Sequence, residues 1–329
     1  MRIVIMGSGA IGSLYGGLLS HAGEDVVLLV GRKPYVDAVN RNGLKIKGVL
    51  GEHTLNLKAT QNPSEVDEAE LVLITTKAYD SVEAASRIQH LVDNGASVLV
   101  LQNGIGTEKK VAEVLGTNRV LRGTTCMGAI MTGPGEVTVT GIGITEIGSH
   151  YPENMEMVER VTSILRKAGF DARSSDNIEG VVWTKTIVNC GINPIGALTG
   201  LTNGEIYNDP RLRKLVIKLI REAVEVASAL NIELTTDDPI RYALGTAKAT
   251  GDNINSMLQD IRLCKQTEID AITGEVIRLA RELGIETPLS DSVYALVKAL
   301  ESKLVKLGAD GEQLASLSVD EIERAISSV

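Results

Sequence analysis

The sequence predicts a doubly wound, mainly parallel α/β domain followed by an all-helical domain, and three observations support this. Up to about residue 175, short apolar runs alternate with helical patterns, which is typical of a parallel sheet covered by helices. A glycine-rich turn directly follows the first apolar run. Beyond about residue 176 long helical patterns take over, so we place the domains at residues 1–175 and 176–329.

The first domain is predicted from runs rich in Val, Ile and Leu that are separated by helical segments. Strands are expected at residues 2–6, 26–30, 71–76, 96–102, 120–125 and near 170–173. Helices are expected at residues 10–22, 81–93, 107–115 and 153–168. Residues 136–148 alternate apolar and polar side chains with period two, which predicts a hairpin or edge strands.

The second domain is predicted from helical patterns whose starts or breaks are marked by proline. The helices are expected at residues 179–192, 210–230, 239–250, 256–283 and 288–303. Pro194 disfavours helical geometry at the residue before it, so the first helix is expected to end or kink there. Another short helix is expected in the C-terminal tail, with Ser318 as N-cap and Glu321 three residues later.

Composition and charge narrow the functional classes. The net charge of -9 and the pI of about 5.1 argue against nucleic acid as the main partner, because phosphate backbones require a basic surface. The three cysteines form no CxxC pair, so we expect neither a metal site nor disulfides, and a cytoplasmic location fits. No run approaches the ~18 apolar residues of a membrane span. The aliphatic helical domain is compatible with a homodimer, although the sequence identifies no interface.

Residues 7–12, here called the glycine loop, match the pattern GxGxxG and read Gly7-Ser8-Gly9-Ala10-Ile11-Gly12. The loop follows a predicted strand and opens a predicted helix, which is the context of a Rossmann-type dinucleotide site. There the first glycine permits a tight turn, the second lets the backbone approach a pyrophosphate, and the third allows helix and strand to pack closely. The alternative is a glycine-rich turn without a ligand.

The end of the second strand predicts which nicotinamide cofactor binds. NAD-preferring sites place Asp or Glu there to bind the ribose 2′-hydroxyl, whereas this chain has Gly31, Arg32 and Lys33. Because Arg32 can hold a 2′-phosphate by charge-assisted hydrogen bonds, the sequence favours NADPH. The alternative is an ordinary surface pair of cations.

Two further polar side chains follow predicted strands directly. Lys77 comes after the strand at 71–76, and Asn103 comes after the strand at 96–102. Ligands of doubly wound sheets bind beyond the carboxyl ends of the strands, so both residues are expected beside the cofactor. For each, a structural role in a loop is the alternative.

Three polar residues recur at intervals of four in the first helix of the second domain. Lys185, Asn189 and Asn193, here called the polar column, are offset by only ~40° per step and therefore share one face. Asn is a poor helix former, so its repetition favours a functional face, with a partly exposed face as the alternative.

Taken in order along the chain, these motifs resemble the ketopantoate reductase (2-dehydropantoate 2-reductase) family. The resemblance runs from the glycine loop through "TKA" at 76–78 and "LQNGIG" at 101–106 to the polar column with Pro194. It then includes "NSMLQDIRLCKQTEID" at 255–270, and only the tail, residues 305–329, falls outside it. It implies a Rossmann domain joined to a helical domain, with the active site between them. It also implies NADPH-dependent reduction of 2-dehydropantoate to pantoate, in pantothenate and coenzyme A biosynthesis.

The resemblance also implies roles for individual residues. Lys185 resembles the catalytic lysine, and Glu268 resembles the acidic residue of the active site and is also expected to contact the cofactor. The implied substrate-binding residues are Asn103, Asn189, Asn193 and Ser256. The implied cofactor contacts beyond the glycine loop are Arg32, Lys77 and Asn103. NADPH is the implied cofactor, and NADH remains an alternative.

These residue types suit the reduction of a 2-keto acid. The reaction needs a hydride at the carbonyl carbon, which the cofactor brings, and a proton at the carbonyl oxygen. A protonated lysine can stabilise the developing alkoxide and donate that proton. Asparagine amides supply both donors and acceptors for the carboxylate and the hydroxyl of the substrate.

Other interpretations stay open. Related 2-keto acid or 3-hydroxy acid dehydrogenases also join a Rossmann domain to a helical one, and a non-catalytic NADP sensor would not need Lys185 and Glu268 together. Glu268 could be a solvated charge on a long helix, and Ser256 could be an N-cap.

Overall fold

The computed structural model describes residues 1–309, and the chain forms two compact units that divide between Val181 and Val182. The first unit is α/β and the second is helical, which confirms the predicted fold class. The predicted boundary at residues 175/176 lies shortly before this division. The predicted helix near Ser318 lies outside the described residues.

The described part of the chain forms twelve strands, all in the first unit. They are β1 (Arg2–Met6), β2 (Asp25–Leu29), β3 (Leu44–Gly48), β4 (His53–Leu55), β5 (Lys58–Thr60), β6 (Leu71–Ile74), β7 (Ser97–Val100), β8 (Val120–Thr125), β9 (Gly128–Gly133), β10 (Glu136–Gly141), β11 (Thr145–Gly148) and β12 (Ala172–Ser174).

The helices of the first unit are α1 (Ala10–His21), α2 (Lys33–Asn42), α3 (Ser81–Arg87), α4 (Gln89–Asp93), α5 (Thr107–Leu115) and α6 (Met155–Lys167). Helix α7 (Ile178–Thr199) begins in the first unit and continues into the second. The other helices of the second unit are α8 (Asn203–Asn208), α9 (Pro210–Ala229), α10 (Pro239–Ala249), α11 (Ser256–Arg262), α12 (Glu275–Leu283) and α13 (Pro288–Ala309). None of the helices within residues 1–309 is both long and apolar enough to cross a membrane.

The large sheet has eight strands in the order β12-β11-β8-β7-β6-β1-β2-β5, and every pair is parallel except β11 with β8. Both faces of β1 are buried, Ile3 and Ile5 in one apolar cluster and Val4 and Met6 in another. In this sheet β1 lies between β2 and β6. The chain passes from β1 to β2 on one side and reaches β6, on the other side, only later. The glycine loop therefore leaves the sheet at its topological switch point, where doubly wound sheets bind ligands.

A second sheet, in the order β4-β3-β10-β9, was missed by the sequence analysis. The strands predicted within residues 136–148 are present as β10 and β11, but the predicted hairpin or edge arrangement is wrong, because β10 lies inside this small sheet and β11 lies inside the large one. The reason is pairing over a long distance: β10 runs parallel to β3, with Glu136 opposite Lys45, 91 residues earlier. Val137 and Val139 of β10 are buried, which fixes this strand against the core.

The first helix of the second unit does not end at Pro194, so the predicted end there is wrong. Helix α7 continues from Ile178 to Thr199 with Pro194 inside it. A proline inside a helix costs about 3 kcal/mol through a lost hydrogen bond and a ring clash. Residues 191–197 are all buried, and that packing offsets the cost. Asn193 consequently keeps its place on the helix.

The single helix predicted at residues 256–283 is also wrong, because the chain breaks into three pieces. Helix α11 ends at Arg262, and Cys264 has a left-handed φ of 52°. A π-helical segment follows at Asp270–Gly274, in which Gly274 N donates to Ile269 O over 2.8 Å, and α12 then begins. Residues 265–268 are all polar, and this interruption of the apolar pattern was too short to reveal the break.

Candidate active site

The glycine loop has the geometry that its sequence predicts. Gly7 has a φ of 100°, and a Cβ there would lie 2.6 Å from Thr76 N, so only glycine fits. A Cβ on Gly12 would clash with Gly7 O and lie 2.5 Å from Thr75 Oγ1. In contrast, a Cβ on Gly9 would have no atom within 4 Å, which leaves open space beside this backbone.

Two features of this loop are suited to binding the phosphates of a dinucleotide. Ser8 is only 3% exposed, and its Oγ has no hydrogen-bond partner among the described residues. Helix α1 starts after Gly9 with neither a side-chain cap nor an acidic residue in its first turn. Its N-terminal N–H groups and positive dipole end therefore favour an anion, and the Ser8 hydroxyl can donate to a phosphate oxygen.

Arg32 lies directly before helix α2, which the sequence analysis missed. It is exposed and forms no ion pair within residues 1–309, whereas Lys33 pairs with Asp37 at 2.9 Å. Tyr35 is buried on the same helix and its hydroxyl lies 2.5 Å from Ser13 Oγ of α1. Burial raises the pKa of Tyr35, which keeps this phenol a neutral link between the two helices. This bond joins helix α2, which follows Arg32 directly, to helix α1, which follows the glycine loop.

Lys77 and Asn103 lie past the ends of β6 and β7, and a neighbouring glutamine ties these two segments together. Both side chains are partly exposed. Gln102 is buried, and its Nε2 donates to Thr76 Oγ1 over 3.0 Å and to Ser81 Oγ over 2.8 Å. Since Thr76 also touches Gly7, the structure brings the glycine loop, Lys77 and Asn103 to the same edge of the sheet.

A buried charge cluster below this edge was also missed. Arg122 of β8 forms an ion pair with Glu108 of α5 at 3.2 Å, and both side chains are almost fully buried. The Arg122 guanidinium also donates to Val100 O over 3.1 Å and to Gly104 O over 2.8 Å, on the two sides of Asn103. The sequence signal for this cluster is Arg122 within the strand "VLRGTT", because a buried arginine requires a charged partner.

The protonation state of Glu108 follows from its neighbours. Burial raises the pKa of this carboxyl, but the hydrogen bond from His150 at 3.0 Å and the charge of Arg122 outweigh burial and hold the pKa below its ordinary value. Glu108 is therefore ionised and balances Arg122.

Replacing Arg122 with methionine should lower the free energy of unfolding by about 3–5 kcal/mol, because it leaves the Glu108 carboxylate buried without its partner. The measurement is chemical denaturation of the purified protein. The double variant Arg122→Met/Glu108→Met should recover part of the loss, since paired buried charges can be replaced by apolar groups at little cost. A double variant that is less stable than Arg122→Met would contradict this account.

The polar column lies on α7 as predicted, and burial singles out two of its members. Among residues 181–190 all are buried except Lys185 and Asn189. Asn193 is 5% exposed. Helix α7 packs tightly elsewhere: a Cβ on Gly191 would lie 2.8 Å from Ile220 of α9. The face with Lys185 and Asn189 is thus the part of this stretch that is open to a ligand.

Glu268 is held in the break between α11 and α12, just before the π-helical segment. It is 7% exposed, so the alternative of a solvated charge on a long helix is wrong. Its carbonyl accepts hydrogen bonds from Ala271 N and Ile272 N, both 3.1 Å long. Insertions of this π type are frequent at functional sites, because they move one side chain out of the helical register.

Ser256 is the exposed first residue of α11, and it is not the N-cap. Asn255 fills that role, because its Oδ1 accepts from Leu258 N over 3.0 Å. The Asn255 side chain also lies so close to α7 that a Cβ on Gly196 would clash with its Nδ2. The start of α11, and with it Ser256, is therefore fixed one helical turn beyond Asn193.

A Rossmann-type sheet whose glycine loop opens the first helix, followed by a helical unit with a lysine–asparagine face, is typical of a nicotinamide-dependent oxidoreductase. Two family models match the chain, "Ketopantoate reductase PanE/ApbA" over residues 3–152 and its C-terminal counterpart over residues 177–301. The chain belongs to this ketopantoate reductase family.

Known proteins of similar sequence are named 2-dehydropantoate 2-reductases. A 2-dehydropantoate 2-reductase of Pyrococcus horikoshii is 41% identical over 302 residues, which cover 92% of this chain and 98% of that protein. One of Archaeoglobus fulgidus is 34% identical over 303 residues and covers 92% of this chain and 99% of that protein.

Solved structures show the same fold. A 2-dehydropantoate 2-reductase from Geobacter metallireducens is 30% identical with a TM-score of 0.86, over 91% of this chain and 99% of that one. D-mandelate dehydrogenase with NADH and anilino(oxo)acetate is 28% identical with a TM-score of 0.87, over 93% of this chain and 100% of that one.

Proposed function

We propose that this protein reduces 2-dehydropantoate to pantoate with NADPH, as a cytoplasmic enzyme of pantothenate and coenzyme A biosynthesis. The observation that carries the proposal is the polar column: Lys185 and Asn189 are the open side chains of an otherwise buried stretch of α7. The names of the relatives that cover almost the whole chain support the same substrate.

In this proposal Lys185 is the general acid. Its ammonium group binds the keto oxygen of the substrate, stabilises the negative charge that develops there, and donates the proton that completes the alcohol. The cofactor supplies the hydride to the carbonyl carbon. A single flexible cation can serve both roles, because its charge and its proton act on the same oxygen.

The remaining site residues bind and orient the substrate and the cofactor. Asn103, Asn189 and Ser256 are at least partly exposed and offer amide and hydroxyl groups to the carboxylate and hydroxyl of the substrate. Asn193 is buried and offers its amide from one helical turn beyond Asn189. Glu268 accepts a hydrogen bond from a hydroxyl group of the bound ligands. The glycine loop with Lys77 and Asn103 holds the cofactor.

Arg32 is proposed to select NADPH by binding its 2′-phosphate. Arg32→Ala should raise the KM for NADPH by about tenfold or more, since a charge-assisted contact contributes ~1.5–3 kcal/mol, and should leave the KM for NADH unchanged. Steady-state kinetics with both cofactors measure this. Lys33→Ala is the matched control, because Lys33 is paired with Asp37. A preference for NADH in the wild type that survives Arg32→Ala would contradict the role of Arg32.

A second candidate function is a D-2-hydroxy acid dehydrogenase that uses NADH. The structural likeness to D-mandelate dehydrogenase with NADH favours it. One spectrophotometric experiment separates the two: kcat/KM for 2-dehydropantoate with NADPH against kcat/KM for D-mandelate with NAD. A higher value in the second reaction would replace the proposed function.

A further inference from the structure

One face of α13 holds the chain around Glu268. The side chains on this face, spaced by four and three residues, are Tyr294, Lys298 and Glu301. The Tyr294 hydroxyl donates to Asp270 Oδ1 over 2.7 Å, and Lys298 Nζ donates to Asp270 Oδ2 over 2.8 Å. Asp270 is the first residue of the π-helical segment, so this segment is anchored two residues after Glu268.

Glu301 holds the other side of Glu268. Its carboxylate is 4% exposed and accepts two hydrogen bonds from Thr267, one from the backbone N over 2.8 Å and one from the hydroxyl. Its second oxygen pairs with Lys298 Nζ at 2.9 Å. A carboxylate buried this deeply is stable only with such partners, so its place relative to Thr267 is fixed.

Thr267 in turn fixes the residue on the other side of Glu268. Its hydroxyl oxygen also accepts from Ile269 N over 3.2 Å, which bridges the backbone across Glu268. The residues on both sides of Glu268 are therefore tied to one buried carboxylate on another helix. If Glu301 only capped a helix end, it would accept a bond from one backbone N–H. It also binds the Thr267 hydroxyl, and so fixes the short non-helical stretch that contains Glu268.

We propose that Glu301 is a positioning residue that sets the direction of the Glu268 side chain; this rests on the role of Glu268 in the proposed function. Glu301→Ala should lower kcat/KM for 2-dehydropantoate by about 10- to 100-fold, because a displacement of about 1 Å at a catalytic group costs that much. Glu301→Gln should restore most of the activity, since its amide oxygen still accepts from Thr267. Because Glu268 is also expected to contact the cofactor, the KM for NADPH should rise in Glu301→Ala and return toward the wild-type value in Glu301→Gln.

Glu222 of α9 provides the matched control, because it also holds α13. Its carboxylate accepts from Leu289 N over 3.0 Å and from Ser290 N over 2.7 Å, and so fixes the N-terminal end of that helix. Glu222→Ala should lower the melting temperature as Glu301→Ala does, but should leave kcat/KM close to the wild-type value. If the two variants lose equal stability and equal activity, Glu301 is a structural residue and the proposal is wrong.

A double-mutant cycle with Glu268→Ala gives the decisive test. If Glu301 acts through Glu268, Glu301→Ala should cost no further activity once Glu268 is alanine. If the losses in kcat/KM of the two single variants multiply in the double variant, the proposal is wrong. Thr267→Val, which removes only the hydroxyl bonds, serves in the same cycle if Glu301→Ala does not fold. Absence of 2-dehydropantoate reduction by the wild type would refute the proposed function instead, and the cycle is then run with the keto acid that the wild type reduces.

Discussion

Lys185→Ala is expected to lower kcat for keto-acid reduction by at least ~10²-fold, the low end for general acid catalysis. Alanine removes both the proton donor and the positive charge that stabilises the alkoxide. Lys185 lies on an otherwise buried stretch of α7, and no other lysine of residues 178–199 can replace it. Stopped-flow measurement of NADPH oxidation separates this chemical step from product release.

Two further variants make the result specific. Lys185→Arg keeps the charge but holds its proton far more tightly, so it should bind substrate and still reduce it slowly. Lys218→Ala, on the exposed side of α9, should behave as the wild type. Turnover near the wild-type rate in Lys185→Ala would rule out the proposed mechanism.

Gly9→Ala is expected to weaken NADPH binding by more than about tenfold, or ~1.4 kcal/mol, while the free protein keeps its melting temperature. A Cβ at this position meets no protein atom within 4 Å, so folding is unaffected. The added methyl group instead occupies the space in which a pyrophosphate must approach the backbone. Isothermal titration calorimetry and thermal melting of the same samples measure both quantities.

Gly245 of α10 is the matched control, because its Cβ would also meet nothing within 4 Å. Gly245→Ala should stabilise the protein by about 0.5–1 kcal/mol through helix propensity and leave NADPH binding unchanged. Gly12→Ala should behave differently from both, since its Cβ clashes with Gly7 O and disturbs the loop itself. Unchanged NADPH affinity in Gly9→Ala would show that the pyrophosphate does not bind at this loop.

The sequence predicted those parts of the fold that depend on local pattern. The glycine loop was identified because its strand, its turn and its helix follow one another directly between Arg2 and His21. The small sheet was missed because β3 and β10 pair across 91 residues and no local signal joins them. Pro194 gave a wrong helix end, since tertiary packing of residues 191–197 overrides its local preference.

The candidate site shows the same division. Arg32, Lys77, Asn103 and Lys185 were proposed as site residues from strand ends and helical spacing, which are local properties. The supporting residues were not, because Arg122 and Glu301 act on backbone groups that only the folded chain brings near. The π-helical break after Glu268 depends on Asp270 binding Tyr294 and Lys298, which lie on another helix.

The packing of α1 has a consequence for how fast the cofactor is expected to bind. This helix packs between the two sheets: a Cβ on Gly16 would lie 2.7 Å from Leu28 of β2, and one on Gly17 would lie 2.5 Å from Ile46 of β3. These close approaches on both sides fix the second half of α1 between the sheets, and the glycine loop at the start of the helix with it. The proposed phosphate site at its N-terminus is therefore expected to be in place before any ligand arrives. Binding then requires little loss of backbone entropy, so association can proceed by simple docking rather than by a slow ordering step.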